Sequence, residues 1–209
     1  MSIPGTIYGV VLNDGDECAR LGDALSADPY KAPPQAPVVY IKPRLCVTLG
    51  GAPVPLPQGE ERLRAGATLG LLFVSDACRI LPGEAMDHVG GACLALDIAV
   101  PFANYYRPPI AQICRDGFLP LGTMGAPVLP DEIVTEVDGK VVHSWSLAQL
   151  VRGPSQLISD LSQFMTLRAG DLLLVGLPGD APLVGQGQTV HVRAPGLAPI
   201  ATRIEAEVV

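Results

Sequence analysis

The sequence is poor in positive charge and has no long apolar run. Its 209 residues contain 14 Lys and Arg against 21 Asp and Glu, so the formal net charge is −7, and the basic residues form no stripe. Binding to nucleic-acid phosphates needs clustered cations. The apolar stretches, such as residues 67–74, are about half as long as a membrane-spanning helix requires. We therefore expect neither a nucleic-acid partner nor a membrane role.

Closely spaced cysteines are also missing. The five cysteines are scattered and form no C-x-x-C pair; they are Cys18, Cys46, Cys78, Cys93 and Cys114. This pattern favours reduced thiols over a disulfide framework or a zinc site. Residues 1–11 lack the basic segment and the apolar segment of a signal peptide. Together these absences predict a soluble, cytoplasmic protein.

The common catalytic motifs are absent. The sequence has no G-x-S-x-G, no H-E-x-x-H, no P-loop and no G-x-G-x-x-G after a strand. The three histidines, His88, His143 and His191, lie far apart and have no metal-ligand spacing. We interpret each of them as a surface or rim residue rather than a catalytic base.

Glycine and proline, in contrast, are abundant: 23 Gly and 21 Pro interrupt a chain that is 48% apolar. Short runs typical of β-strands recur between these residues. The runs are residues 6–12, 38–41, 68–74, 133–137, 141–144, 172–175 and 189–192. Asp138-Gly139 lies between two of them and predicts a hairpin turn. The pattern predicts a mainly β fold of coiled, mixed sheets with few helices, in a single domain over residues 1–209.

One longer helix and one shorter helix are predicted. Gly153-Pro154 is a natural helix start, and the apolar residues after it recur at helical spacing. They are Leu157, Ile158, Leu161, Phe164 and Met165, with Ser159, Asp160 and Gln163 on the polar face. The shorter helix is predicted to follow Pro82 and to run from Glu84 to Val89, ending before two glycines.

Four sequence strings, in this order, carry a family resemblance. They are Tyr30-Lys31-Ala32-Pro33-Pro34 with Tyr40-Ile41-Lys42-Pro43-Arg44, then Tyr105-Tyr106-Arg107-Pro108, then residues 115–122 (RDGFLPLG), then Phe164-Met165-Thr166-Leu167 with Gly170-Asp171. Together they resemble the fumarylacetoacetate hydrolase family over residues 5–205. Within the family, Gly66-Ala67-Thr68 also resembles the N-terminal half of the bifunctional isomerase/decarboxylases of 4-hydroxyphenylacetate breakdown. The resemblance implies a fumarylacetoacetate hydrolase-like fold of rolled mixed β-sheets with few helices.

The resemblance also implies where a metal would bind in other family members. Those proteins hold a divalent cation, usually Mg²⁺, with a Glu-x-Glu pair on one strand and an Asp on a later one. The corresponding positions here are Gly66, Thr68 and Asp97, so only one carboxylate remains. A hard cation prefers several carboxylate oxygens. We therefore expect no cofactor bound by this chain and Mg²⁺ in a homologous partner subunit.

Other family positions have changed as well. Where other family members have Arg, Lys and Thr, the resemblance places Pro101, Ile113 and Leu177 in this chain. Where hydrolytic members have the His and Glu of the lid, this chain has Glu17 and Arg20. The resemblance therefore makes hydrolysis the least favoured activity.

The candidate catalytic residues are Lys42, Asp97 and Arg115, and the candidate substrate-binding residues are Tyr106 and Arg107. Lys42 is predicted at a strand end, either facing a dicarboxylate or solvated. A buried Asp97 would be costly without a partner, so we expect a nearby cation or a place in the cleft. Arg115 has the alternative role of an ion pair with Asp116. For Tyr106 and Arg107 the alternative is a subunit contact.

Two functions remain open at this point. In the first, the chain is a subunit of an isomerase/decarboxylase of 4-hydroxyphenylacetate degradation that acts on unsaturated oxo-dicarboxylates, with 2-hydroxyhepta-2,4-dienedioate isomerisation as its own step. In the second, it is a non-catalytic subunit that stabilises a metal-bearing homologous partner. The expected partners are a small oxo-dicarboxylate and either that subunit or a second copy of the chain.

Overall fold

The computed structural model describes residues 5–49, 51–107 and 109–207. The strands are β1 (Ile7–Val11), β2 (Val38–Lys42), β3 (Val47–Thr48), β4 (Val54–Leu56), β5 (Arg62–Phe73), β6 (Val89–Ala99), β7 (Leu119–Pro120), β8 (Glu132–Val137), β9 (Lys140–Ser146), β10 (Leu172–Leu174), β11 (Leu183–Gly185), β12 (Thr189–Arg193) and β13 (Ile200–Ala206). The α-helices are α1 (Gly15–Leu21), α2 (Ile110–Ile113) and α3 (Pro154–Ser162). Short 3₁₀ helices span Gly22–Ser26, Arg44–Cys46, Pro82–His88 and Leu147–Gln149.

Two larger sheets and one small sheet form the fold. The six-stranded sheet has the order β11-β5-β10-β1-β2, with β6 paired to β5 outside this path. The five-stranded sheet has the order β4-β13-β12-β8-β9, and β3 pairs with β7. Strand β1 runs parallel to β10 and antiparallel to β2. The structure is therefore mainly β with mixed sheets, as predicted.

The core is centred on the antiparallel pair β5 and β6. Residues 65–71 and 91–99 of these strands are buried, and they join apolar side chains of both larger sheets in one cluster. A strand that is covered on both faces needs apolar side chains in both directions, which explains the unbroken apolar runs. The pair β5 and β6 is also the platform on which the pocket described below is built.

The predicted strands are confirmed, with shifted ends. Asp138 and Gly139 form the turn between β8 and β9, with φ angles of 50° and 76°. Two positive φ angles are typical of a type I′ hairpin turn. Strand β6 was predicted only around Asp97, and Val89 was assigned to the end of a helix. In the structure the 3₁₀ helix ends at His88 and Val89 begins the strand.

The prediction for α3 was partly wrong. The helix ends at Ser162, so Phe164 and Met165 lie beyond it, and the Phe164 side chain is 66% exposed. Ser159 is buried rather than solvent-facing, because its Oγ donates to the carbonyl of Ile80 at 2.9 Å. The Ser159 hydroxyl is thus buried against the neighbouring loop, at a position where helical periodicity predicts a solvent-exposed face.

In the part of the chain that the structure describes, no helix has the length and apolar character needed to cross a bilayer.

Candidate active site

A cavity of about 350 Å³ opens beside the edge of the six-stranded sheet, and we call it the pocket. Its volume lies in the range of small-molecule sites. Its walls come from β1, β2, β5, β6, the segment after β6 and the loop after β10. The lining residues are Val11, Val38, Val39, Tyr40, Ile41, Arg64, Gly66, Asp97, Ala99, Phe102, Tyr105, Pro109, Ile110, Ile113 and Leu177.

A buried ion pair lies at the floor of the pocket. The ammonium of Lys42 is 2.8 Å from Oδ1 of Asp97, and the two side chains are 0% and 3% exposed. Lys42 Nζ also donates to the carbonyls of Ile98 and Phe118, each at 2.9 Å. The three partners account for the three N–H donors of an ammonium group. The cation expected near Asp97 is therefore present, but Lys42 has no donor left for a substrate carboxylate.

Tyr40 completes the polar cluster at the floor. Its hydroxyl donates to Oδ2 of Asp97 at 2.5 Å. Burial, followed by the charge of the Asp97 carboxylate, raises the pKa of Tyr40 well above its usual value. The phenol therefore remains protonated, and it shares the pocket lining with the carboxylate. A proton acceptor and a proton donor thus lie in contact at one wall.

The strand register explains how these side chains come together. Gly9 on β1 pairs with Tyr40 on β2, and a Cβ at Gly9 would overlap the Tyr40 ring. The missing side chain of Gly9 therefore gives the ring its place. On the pair β5 and β6, Asp97 lies opposite Gly66.

The residues at the family's metal-ligand positions do not fit a divalent cation. Gly66 supplies no ligand, and the space beside it is filled by Leu177, whose Cδ2 is 3.0 Å from the position of a Cβ at Gly66. The Thr68 hydroxyl is buried and donates to the carbonyl of Gly176 at 2.5 Å. Both Asp97 oxygens already have partners. No group of three or more His, Cys, Asp and Glu residues suitable for a metal was found among the described residues.

A second polar group lies at the pocket wall and was not predicted. Nη1 of Arg64 donates to the Tyr105 hydroxyl at 3.0 Å, and Nη2 donates to the carbonyl of Pro178 at 2.9 Å. The Tyr105 hydroxyl in turn donates to Oε1 of Glu17 at 3.2 Å. Arg64 is two residues before Gly66 on one face of β5. Side chains two residues apart on a strand share a face, so the family's ligand positions at Gly66 and Thr68 could have pointed to Arg64.

The other predicted site residues lie outside the pocket lining. Tyr106 is 56% exposed and lines a smaller neighbouring cavity of about 280 Å³. Arg107 is exposed. Arg115 donates from Nε to the carbonyl of Ala111 at 2.7 Å, and among the described residues it forms no ion pair with Asp116. The structure thus brings together Lys42 and Asp97, and the roles assigned to the other three residues remain predictions.

Comparison with known proteins agrees with the fold. The model of the fumarylacetoacetate (FAA) hydrolase C-terminal family matches residues 6–205. The 4-hydroxyphenylacetate degradation bifunctional isomerase/decarboxylase of Escherichia coli is 39% identical over 198 residues, which cover 94% of this chain and 46% of that protein. The chain therefore spans about half the length of this relative.

Two solved structures have the same fold. Fumarylpyruvate hydrolase from Pseudomonas aeruginosa, in complex with Mn²⁺ and pyruvate, gives a TM-score of 0.80 at 22% identity, covering 98% of this chain and 91% of that one. The 2-hydroxyhepta-2,4-diene-1,7-dioate isomerase from Mycobacterium marinum gives a TM-score of 0.78 at 20% identity, covering 98% and 76%. At these identities the likeness shows the fold alone. With the family match over residues 6–205, it follows that this chain belongs to the fumarylacetoacetate hydrolase family.

Proposed function

We propose that this chain is the isomerase part of an isomerase/decarboxylase of 4-hydroxyphenylacetate degradation, and that it shifts a proton along an unsaturated oxo-dicarboxylate such as 2-hydroxyhepta-2,4-dienedioate. The single observation that carries the proposal is the contact between Asp97 and Tyr40 in the wall of a pocket that also contains Arg64. The name of the E. coli relative supports the choice of reaction class.

The reaction needs one proton removed and one added. The enol O–H at C2 loses its proton, and C5 gains one, so that the 2,4-diene becomes a 2-oxo-3-ene. In the proposed cycle, Asp97 accepts the enol proton while the Tyr40 phenol protonates C5. The proton on Asp97 then passes to the Tyr40 oxygen along their hydrogen bond of 2.5 Å. Both side chains return to their starting states, as general acid–base catalysis requires.

Lys42 and Arg64 have different parts in this proposal. The Lys42 ammonium beside Asp97 supplies fixed positive charge under the floor, where negative charge develops on the dienolate. Arg64 lines the pocket directly and is the candidate partner for one substrate carboxylate, because a guanidinium matches carboxylate geometry. The apolar lining near Phe102, Ile110 and Ile113 would cover the carbon chain and exclude water.

The metal-dependent step is assigned to a partner. Since Gly66, Leu177 and the engaged Asp97 do not fit a divalent cation, we propose that decarboxylation with Mg²⁺ occurs on a homologous subunit. The relative is about twice as long as this chain, which is the length that a second domain of this size would account for.

A second candidate is a structural subunit without activity. The apolar side chains of Ile41, Leu45 and Ile110 are 53%, 54% and 58% exposed. Exposed apolar side chains form a subunit contact when they lie in one contiguous patch. In this alternative the chain acts only by covering and stabilising its partner.

Matched carboxylate and phenol variants distinguish the two candidates. The rate of dienol loss is measured by absorbance with the chain alone and with a metal-bearing homologue added. The isomerase role predicts activity of the chain alone and a fall of about 100-fold or more in kcat for Asp97→Asn and Tyr40→Phe. Asp87→Asn, at an exposed carboxylate outside the pocket, is the control and keeps full activity. Activity that appears only in the mixture and survives both pocket variants would establish the structural role.

A further inference from the structure

Glu17 is a buried carboxyl group behind the pocket wall with one oxygen left unpaired. The residue is 8% exposed, and Oε1 accepts the hydrogen bond from Tyr105. Oε2 is buried and has no hydrogen-bond partner among the described residues. A buried carboxylate oxygen without a donor is costly. The proposed proton transfer between Asp97, Tyr40 and the substrate does not involve this carboxyl group.

The loop after β10 holds Glu17 close to the pocket. Asp14, the residue before α1, accepts from the Gly179 N–H through Oδ2 at 2.9 Å. A Cβ at Gly179 would overlap the Glu17 side chain, so the helix packs directly on this loop. The same loop supplies Leu177 to the pocket and the Pro178 carbonyl to Arg64. Glu17 and Arg64 are thus held in place relative to each other by the Tyr105 hydroxyl and by the loop after β10.

The charges around Glu17 come from two elements, β5 and the α1 segment that carries Glu17 itself. Arg64 on β5 acts through the Tyr105 bridge, and Asp14 and Arg20 flank the carboxyl group on its own segment. Burial raises the pKa of Glu17 above its usual value, and the Arg64 charge opposes that rise. Burial also raises the pKa of Tyr105 to about 12, so this bridge remains a donor. Burial therefore favours the neutral form of Glu17, and the Arg64 charge is the largest influence that opposes it.

We infer that Glu17 is an exchangeable counter-ion of Arg64: when a substrate carboxylate enters the pocket and pairs with Arg64, Glu17 takes up one proton. The inference rests on the proposed function, because it needs a carboxylate at Arg64. One guanidinium does not balance two nearby carboxylates, and a second negative charge close by raises the pKa of a carboxyl group. Glu17 is a positioning residue in this account and does not touch the substrate.

Proton uptake makes carboxylate binding depend on pH in a defined direction. Above the pKa of Glu17 in the free protein, each unit of pH weakens binding by up to about tenfold, because the proton must be taken from solvent. Glu17→Gln keeps the shape and the Tyr105 contact but carries no charge. The variant therefore binds the carboxylate more tightly at high pH and with a flat pH profile in this range.

The test is calorimetric titration of the full chain with 2-oxoadipate at pH 5 to 8.5, in buffers of different ionisation enthalpy. The wild-type protein is expected to take up close to one proton on binding, and Glu17→Gln close to none. Equal proton uptake by the two proteins, or weaker binding by Glu17→Gln at pH 8, would overturn the inference.

A measurement without ligand separates this inference from the proposed function. If 2-oxoadipate binds neither protein, the proposed substrate class is contradicted, and the pairing is judged by carboxyl ¹³C NMR of Glu17. Arg64→Gln or Tyr105→Phe is expected to raise the Glu17 titration midpoint, by about one unit or more for the loss of the guanidinium. An unchanged midpoint in both variants would refute the pairing.

Discussion

Lys42 shows what a single residue contributes when its charge is satisfied inside the protein. Its Nζ has three partners, and its side chain is fully buried beside Asp97. Removing one member of a buried ion pair leaves an uncompensated charge, whereas replacing both leaves none. The pair is therefore important for folding as well as for the proposed chemistry.

A double-mutant cycle tests this dependence. Lys42→Met and Asp97→Asn are each expected to lower the free energy of unfolding by about 3–5 kcal/mol. The double variant should lose clearly less than the sum, because neither charge remains. Urea unfolding of the four proteins gives the coupling energy. Additive losses would show that the two side chains do not depend on each other.

Glu17 predicts a pH-dependent stability. Because burial raises its pKa in the folded protein, the folded state binds the proton more tightly than the unfolded state. The stability this provides is complete below the unfolded pKa and is lost as pH rises through the folded pKa. Glu17→Gln removes the effect, so the variant should gain Tm relative to the wild-type protein as pH rises from 4 to 8. Parallel Tm curves would contradict a raised pKa.

At the scale of elements, sequence periodicity predicted strands and their order along the chain better than it predicted the site. Strands such as β2 and β8 were recognised because turn residues flank short β-branched runs. The start of strand β6 was missed because Gly90 and Gly91 were interpreted as the end of a helix, although Gly90 makes room for the Val74 side chain. Lys42 and Asp97 were identified from the family motifs. The contact of Tyr40 with Asp97 joins two strands that are distant in sequence, which no local pattern contains, whereas Arg64 could have been found from its period-2 spacing to Gly66.

The pairing of β1 with β2 predicts a cost for a side chain at Gly9. Gly9→Ala should displace the Tyr40 ring, because the added Cβ overlaps it, and should destabilise the protein by about 1–3 kcal/mol. Activity is expected to fall in parallel with that of Tyr40→Phe. Gly83→Ala is the matched control, since a Cβ there meets nothing within 4 Å. If Gly9→Ala and Gly83→Ala behave alike in unfolding and activity, the register has no role in placing Tyr40.

At the scale of the whole molecule, the fold is shared with a solved structure that contains Mn²⁺, while the residues of this chain at the family's metal-ligand positions have partners within the protein. Leu177 lies over Gly66, Thr68 is bonded to the backbone, and Asp97 is paired with Lys42. The same scaffold thus offers a carboxylate, a phenol and a guanidinium in place of a carboxylate cluster. Under the proposed function, any divalent ion needed for the overall reaction would be held by a partner subunit.

In the proposed function, this chain isomerises its substrate without a divalent ion. The most direct test measures isomerisation of 2-hydroxyhepta-2,4-dienedioate by the purified chain, first with EDTA and then with added Mg²⁺. The proposed function predicts the same kcat/KM in both conditions for the wild-type chain and for Asp87→Asn. Asp97→Asn should lose the activity in both. Activity that disappears with EDTA and returns with Mg²⁺ would contradict the account.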